Sequence, residues 1–135
     1  MHLAEQCSTR SKDPRTQVGV CIVKDRRVLS MGYNGAPRKF PDCKVPQENS
    51  DILMNSKNAF MCHAEINALL NYRGNISDFD GATIYLTLSP CHECIKALAQ
   101  AGIKEIIYKE PYDHIDIFEV AKYIAESCGI IYRKL

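Results

Sequence analysis

Two short stretches hold the residues best suited to chemistry, Cys62-His63-Ala64-Glu65 and Ser89-Pro90-Cys91-His92-Glu93-Cys94. One imidazole, from His63, and two thiolates, from Cys91 and Cys94, make three ligands for a tetrahedral zinc. Three protein ligands rather than four leave a position for water, the arrangement of a catalytic site. Glu65 follows His63 by two residues, near enough to reach such a water without being a ligand, so it can take the water's proton and hand it on. Each stretch is expected at a helix N-terminus, where unpaired N–H groups and the helix dipole favour negative charge and bring the thiols of Cys91 and Cys94 toward thiolate.

Either stretch alone is a weak signal. Together, an H-x-E followed by P-C-x-x-C is the signature of zinc-dependent nucleobase deamination. Two other readings stay open on the residues alone. A structural zinc closed by His92 or Cys62 accounts for the cysteines but leaves Glu65 without a role. A redox C-x-x-C leaves both His63 and Glu65 unused. The chain has seven cysteines, an odd number, which argues against a disulfide framework and for reduced thiols. Cys7, Cys21, Cys62 and Cys128 read as small buried apolar residues, and Cys43 has no partner set for a second metal.

The elements that must position these residues follow from pattern. Residues 2 to 11 read as a short helix ended by Asp13-Pro14. Gln17–Val23 and Val28–Tyr33 read as a hairpin, its first strand apolar enough to be buried on both faces. From Gly35 to Cys62 the pattern dissolves, apart from a helical turn near Asp51–Met54, and a stretch this long reads as a loop over a site. Ala64–Tyr72 is a helix with Gly74 as its C-cap. Thr83–Leu88 is a strand, His92–Ala101 a helix stopped at Gly102, Glu105–Tyr108 a strand, Ile115–Ser127 a helix and Ile130–Tyr132 a last strand. The order α-β-β-α-β-α-β-α-β describes an α/β fold, a mixed sheet with helices on both faces.

With 135 residues, the chain fits one domain, 1–135, which hides roughly 65–70% of its unfolded surface and needs no cross-links. Seventeen Lys+Arg against sixteen Asp+Glu give a net charge of +1, without the basic excess that binding polymeric nucleic acid requires. No apolar run approaches the ~20 residues that span a bilayer, and the first residues lack the pattern of a signal peptide. A soluble, cytoplasmic protein is expected.

These residues resemble the cytidine deaminase-like superfamily and, within it, the deoxycytidylate (dCMP) deaminases. The superfamily is carried by His63-Ala64-Glu65 with Pro90-Cys91-His92-Glu93-Cys94. The dCMP branch is carried by Ser11-Lys12-Asp13-Pro14 and Gly32-Tyr33-Asn34-Gly35. The resemblance implies a three-layer α/β/α sandwich with a five-stranded mixed sheet. It also implies a catalytic zinc held by His63, Cys91 and Cys94, and hydrolysis of dCMP to dUMP and ammonia for thymidylate synthesis. Glu65 is then the proton carrier, Asn34 meets the deoxyribose, the Ala64 backbone faces the base carbonyl, Ser11 and Lys12 meet the 5′-phosphate, and Tyr112 stacks on the nucleotide. The resemblance further implies a homo-oligomer, often a hexamer, activated by dCTP and inhibited by dTTP around Gly32, Tyr33, Asn34 and Gly35. Deamination of dCTP, guanine or tRNA adenosine, and a non-catalytic zinc module for assembly, remain the alternatives.

Overall fold

Strand β1, Gly19–Lys24, is buried on both faces over its first four residues, as its unbroken apolar run requires. It forms a hairpin with β2, Arg27–Tyr33. Asp25 and Arg26 both take positive φ, 49° and 62°, the backbone sense of a two-residue turn that matches strand twist. The computed structural model describes residues 1–135. Around the hairpin lie α1 (His2–Ser8), α2 (Ala64–Asn71), β3 (Thr83–Leu88), α3 (His92–Gln100), β4 (Glu105–Glu110), α4 (Ile115–Ser127) and β5 (Ile131–Lys134). Short 3₁₀ turns interrupt the long connections.

The sheet runs in the order β2-β1-β3-β4-β5. β1 is antiparallel to β2 and β3, while β3, β4 and β5 are parallel. It is therefore the five-stranded mixed sheet expected. The crossovers from β2 to β3, β3 to β4 and β4 to β5 all advance the same way across it. Right-handed connections then carry α2, α3 and α4 to the same face. Val20, Ile22, Ile84, Leu86, Ile106 and Tyr108 project toward that face and pack with Ala64, Ala68, Ile95, Leu98, Ala121 and Ala125 in one buried cluster.

Helix α1 covers the other face alone. An added Cβ at Gly19 would overlap the Ala4 carbonyl oxygen and the Ser8 backbone, and one at Gly32 would overlap Ala64 and Ala68 of α2. Each glycine lets a helix lie directly on the hairpin.

Most expected elements appear within a residue or two of their expected ends, and the turn near residues 51–54 is the 3₁₀ turn Leu53–Asn55. Helix α1 is shorter than expected, ending at Ser8 with Thr9 as its C-cap, before Asp13-Pro14 is reached. Gly74 is not the C-cap of α2. That helix stops at Asn71, and Tyr72 turns extended so that its ring packs on Phe79 with a centroid separation of 4.8 Å and its hydroxyl donates to Asp78. Gly102, by contrast, follows α3 in the left-handed region at φ 81°, as a C-terminal glycine should.

Candidate active site

β2, β3 and β4 point their carboxyl ends toward the same edge of the sheet. At that edge the chain leaves the strands as Asn34-Gly35, Ser89-Pro90-Cys91 and Pro111-Tyr112. The carboxyl edge of an open sheet is where such folds hold ligands. Helices α2 and α3 start there, so their first residues converge. His63 is the residue before α2 and Cys91 the residue before α3, the Cys91 sulfur accepting the Cys94 N–H at 3.5 Å.

His63 Nδ1 lies 3.5 Å from Cys91 Sγ and 3.4 Å from Cys94 Sγ. A tetrahedral zinc with bonds of ~2.0 Å to nitrogen and ~2.3 Å to sulfur sets nitrogen and sulfur about 3.6 Å apart. All three donor atoms lie within 4.8 Å of one another, two of the residues being buried. The donor set therefore fits zinc in chemistry and in spacing, with one coordination position left. His92, proposed above as a closing ligand, turns outward to Glu93, with Nε2 3.3 Å from its carboxylate. Cys62 is held by its backbone, bridged to Gly35.

Electrostatics separate the groups. The Cys94 thiol and His63 hydrogen-bond to Cys91 and hold it well below the usual thiol range despite burial, while Cys94 is pushed up by that same hydrogen bond and by burial. A bound cation deprotonates coordinating thiols outright. Glu65 sits in the first turn of α2 and is 4% exposed. Burial pushes its carboxyl up to about 7, against the pull of its own backbone N–H and of His63. It is a carboxyl able to gain and lose a proton near neutrality.

His63, Ala64 and Glu65 form part of the wall of a cavity of about 180 Å³, which Asn34 and Tyr112 also line. Tyr112 donates its N–H to Ser89 Oγ at 2.9 Å, and burial raises its phenol. The Asn34 amide accepts from the Val18 N–H at 2.8 Å and donates to the Thr16 carbonyl at 2.9 Å. Ser11 and Lys12 are not among the residues lining this cavity. Ser11 is buried, its hydroxyl oxygen accepting the Asp13 N–H at 3.2 Å. Lys12 is exposed, ion-paired with Asp42, and lines a second cavity of about 190 Å³ together with Arg10, Tyr33, Asn34 and Gly35. Gly32 lies outside that second wall, beneath α2.

Pattern reading gave no role to Asp13, Arg15, Lys57 or His114, all of which line the first cavity. Lys57 lies in a polar run without periodicity, so nothing local marks it. Among the other cysteines, Cys21 is buried, Cys7 and Cys62 are half-buried, and Cys43 and Cys128 are exposed. Cys128, the C-cap of α4, thus departs from the buried role expected of it, and Cys7 and Cys62 meet that expectation only in part.

Residues 1–110 match the family described as the cytidine and deoxycytidylate deaminase zinc-binding region. The chain is 37% identical over 137 residues to the deoxycytidylate deaminase of Homo sapiens, covering 99% of this chain and 76% of the human protein. It is 32% identical to the deoxycytidylate deaminase of Enterobacteria phage T2, covering 96% of each. Among solved structures, the dCMP deaminase of cyanophage S-TIM5 in complex with dCMP and dUMP superposes with a TM-score of 0.77 at 34% identity, over 98% of this chain and 90% of that one. With a five-stranded sheet that brings His63, Cys91 and Cys94 together as zinc ligands, and with these relatives, the chain belongs to the cytidine and deoxycytidylate deaminase family.

Proposed function

We propose that this protein hydrolyses dCMP to dUMP and ammonia. One observation carries the reading: Glu65 is a buried carboxyl with a raised pKa in the same cavity wall as His63, beside Cys91 and Cys94. Zinc, when bound by His63, Cys91 and Cys94, supplies Lewis-acid activation of the attacking water. Glu65 takes the proton that water loses as oxygen bonds to C4 of cytosine, delivers it to N3, and then carries the remaining proton of the new C4 hydroxyl to the departing amine as the C4 carbonyl forms. The C4–N4 bond breaks, ammonia leaves, and the base is uracil.

The remaining walls suit the rest of the nucleotide. Ala64 opens α2, so its N–H stands outside the helical ladder and can donate to the base carbonyl. Asn34 Oδ1 keeps a second lone pair for a deoxyribose hydroxyl, and Tyr112 offers a ring to the base. Arg15 is the cation of this wall not enclosed in a buried pair, and we assign it, with the ring N–H of His114, to the 5′-phosphate in place of Ser11 and Lys12.

The second cavity, with Arg10 and Lys12 beside Tyr33, Asn34 and Gly35, suits a dCTP or dTTP effector. Exposed Leu70 on α2 and Met31 on β2 suit the contacts of a homo-oligomer, a hexamer in this reading. No helix is long and apolar enough to cross a membrane, and seven free thiols suit a reducing cytoplasm. The whole chain, 1–135, then acts as one deaminase domain.

The test is ammonia release by the zinc-loaded protein with dCMP, dCTP, deoxycytidine, CMP and guanine in parallel, each with and without added dCTP as effector. Turnover of dCMP above the others supports the reading, and stimulation by dCTP supports the effector site. Equal turnover of dCTP as a substrate overturns the selectivity assigned to the phosphate end.

A further inference from the structure

Lys57 is a lysine that the interior encloses. Its side chain is 5% exposed, and its Nζ donates to Asp13 Oδ1 at 2.7 Å across 44 residues of sequence. The same carboxylate oxygen accepts the N–H groups of Arg15 and Thr16 at 2.8 and 2.9 Å, and Oδ2 accepts from Asn34 Nδ2 at 3.3 Å. Asn34 in turn binds Thr16 and Val18. Asp13, Thr16, Val18, Asn34 and Lys57 all line the cavity that His63 and Glu65 line, so one network builds part of that cavity's wall.

The long segment between β2 and α2 is held partly by contacts within itself. Its Phe40 and Phe60 rings pack on each other at 5.5 Å, Asp42 meets the exposed Lys12, and Cys62 bridges to Gly35 at its end. Beyond the bonds of Asn34, the Lys57 pair ties the segment to residue 13 and is both buried and part of the cavity wall. A buried ion pair is a weak source of net stability compared with apolar packing, and its best-attested use is to fix one arrangement. Here the arrangement it fixes is the segment's backbone, since the Lys57 N–H also donates to the Glu48 carbonyl at 2.8 Å, against residues 13–18 and Asn34.

We propose that Lys57 is a positioning residue for nucleotide binding: its pairing with Asp13 clamps the segment between β2 and α2 onto the sheet edge and holds Asn34 in place for the substrate. This rests on the dCMP reading above. The pair holds part of the binding wall and makes no bond to His63, Cys91 or Cys94, so its loss moves KM and leaves the chemical step in place.

The experiment compares the parent, Lys57→Met and Asp13→Asn/Lys57→Met for kcat and KM with dCMP, zinc content and Tm. Lys57→Met should raise KM roughly tenfold or more while kcat stays within about threefold, with zinc retained and Tm lowered. The double variant removes both charges and should recover much of the Tm while its KM stays high. A purely structural role predicts that KM returns with Tm, and that result overturns the proposal. An unchanged KM in the single variant, loss of zinc with loss of kcat, or a double variant no more stable than the single also overturns it. If Lys57→Met does not fold, the double variant decides on the same criteria. A parent that fails to turn over dCMP overturns the substrate reading and this inference with it, whereas an active parent beside an unaffected variant overturns this inference alone.

Discussion

Cys91 Sγ stands 3.5 Å from His63 Nδ1 although 28 residues separate them. Two helices that begin at the same edge of the sheet bring them together. Because each ligand sits at a helix start, the geometry depends on α2 and α3 both packing on β1–β3, and little on the loops around them. The chemistry is thereby placed on the rigid part of the molecule.

Replacing a ligand should cost the metal. Cys94→Ser is expected to lower zinc content by about tenfold or more and to abolish ammonia release, with the secondary structure kept. Metal analysis of the purified variant, alongside its far-UV spectrum, checks this. Full zinc occupancy in Cys94→Ser would remove that cysteine from the ligand set.

Glu65→Gln should keep zinc and lose turnover. An amide of the same shape neither accepts nor returns a proton, so kcat should fall by about 10²–10⁴-fold while zinc content stays at the parent level. Ammonia release and metal analysis on one preparation read both. Parent-like turnover would end the role assigned to Glu65.

Asp13 gives the fold an acid-sensitive point. Burial pushes its carboxyl up, but Lys57 and the Thr16 and Arg15 N–H groups outweigh burial and hold it below the usual range. A group depressed in the folded state contributes stability above its unfolded value, ~3.9, and loses that contribution as pH falls through the folded value. Tm of the parent should therefore decline below about pH 4. In Lys57→Met the carboxyl keeps its burial without its cation, at a cost of about 3–5 kcal/mol near neutrality, and because protonation relieves that cost, the Tm of this variant should approach the parent's as pH falls. Thermal melts of both proteins across acidic pH check whether the gap in Tm narrows as Asp13 is protonated; a gap that stays constant would remove Asp13 from this account.

Close approach at the hairpin should show in stability. Gly32→Ala drives a methyl group into the backbone of α2, and Gly19→Ala drives one into α1, each with an expected loss of about 1–3 kcal/mol from overpacking. Gly35→Ala meets nothing within 4 Å and should leave the denaturation midpoint unchanged. Urea unfolding of the three variants separates these cases. An unaffected Gly32→Ala would mean that α2 can shift on the sheet without cost.

The zinc ligands and Glu65 were legible in sequence because each pair of chemical groups lies within one helical turn. His63 and Glu65 open α2, and Cys91 and Cys94 open α3, so short spacing already encodes which atoms can converge. The strands and α4 were legible for a similar reason, their apolar periodicity being a local property. Asp13 with Lys57, the capture of the Asn34 amide by Val18 and Thr16, and the separation of Lys12 from the zinc cavity were decided by the tertiary structure alone. Those contacts join segments that carry no periodicity and lie tens of residues apart. Which lysine is buried against a carboxylate, and which is left in solvent, depends on where the sheet edge and the segment between β2 and α2 meet in space.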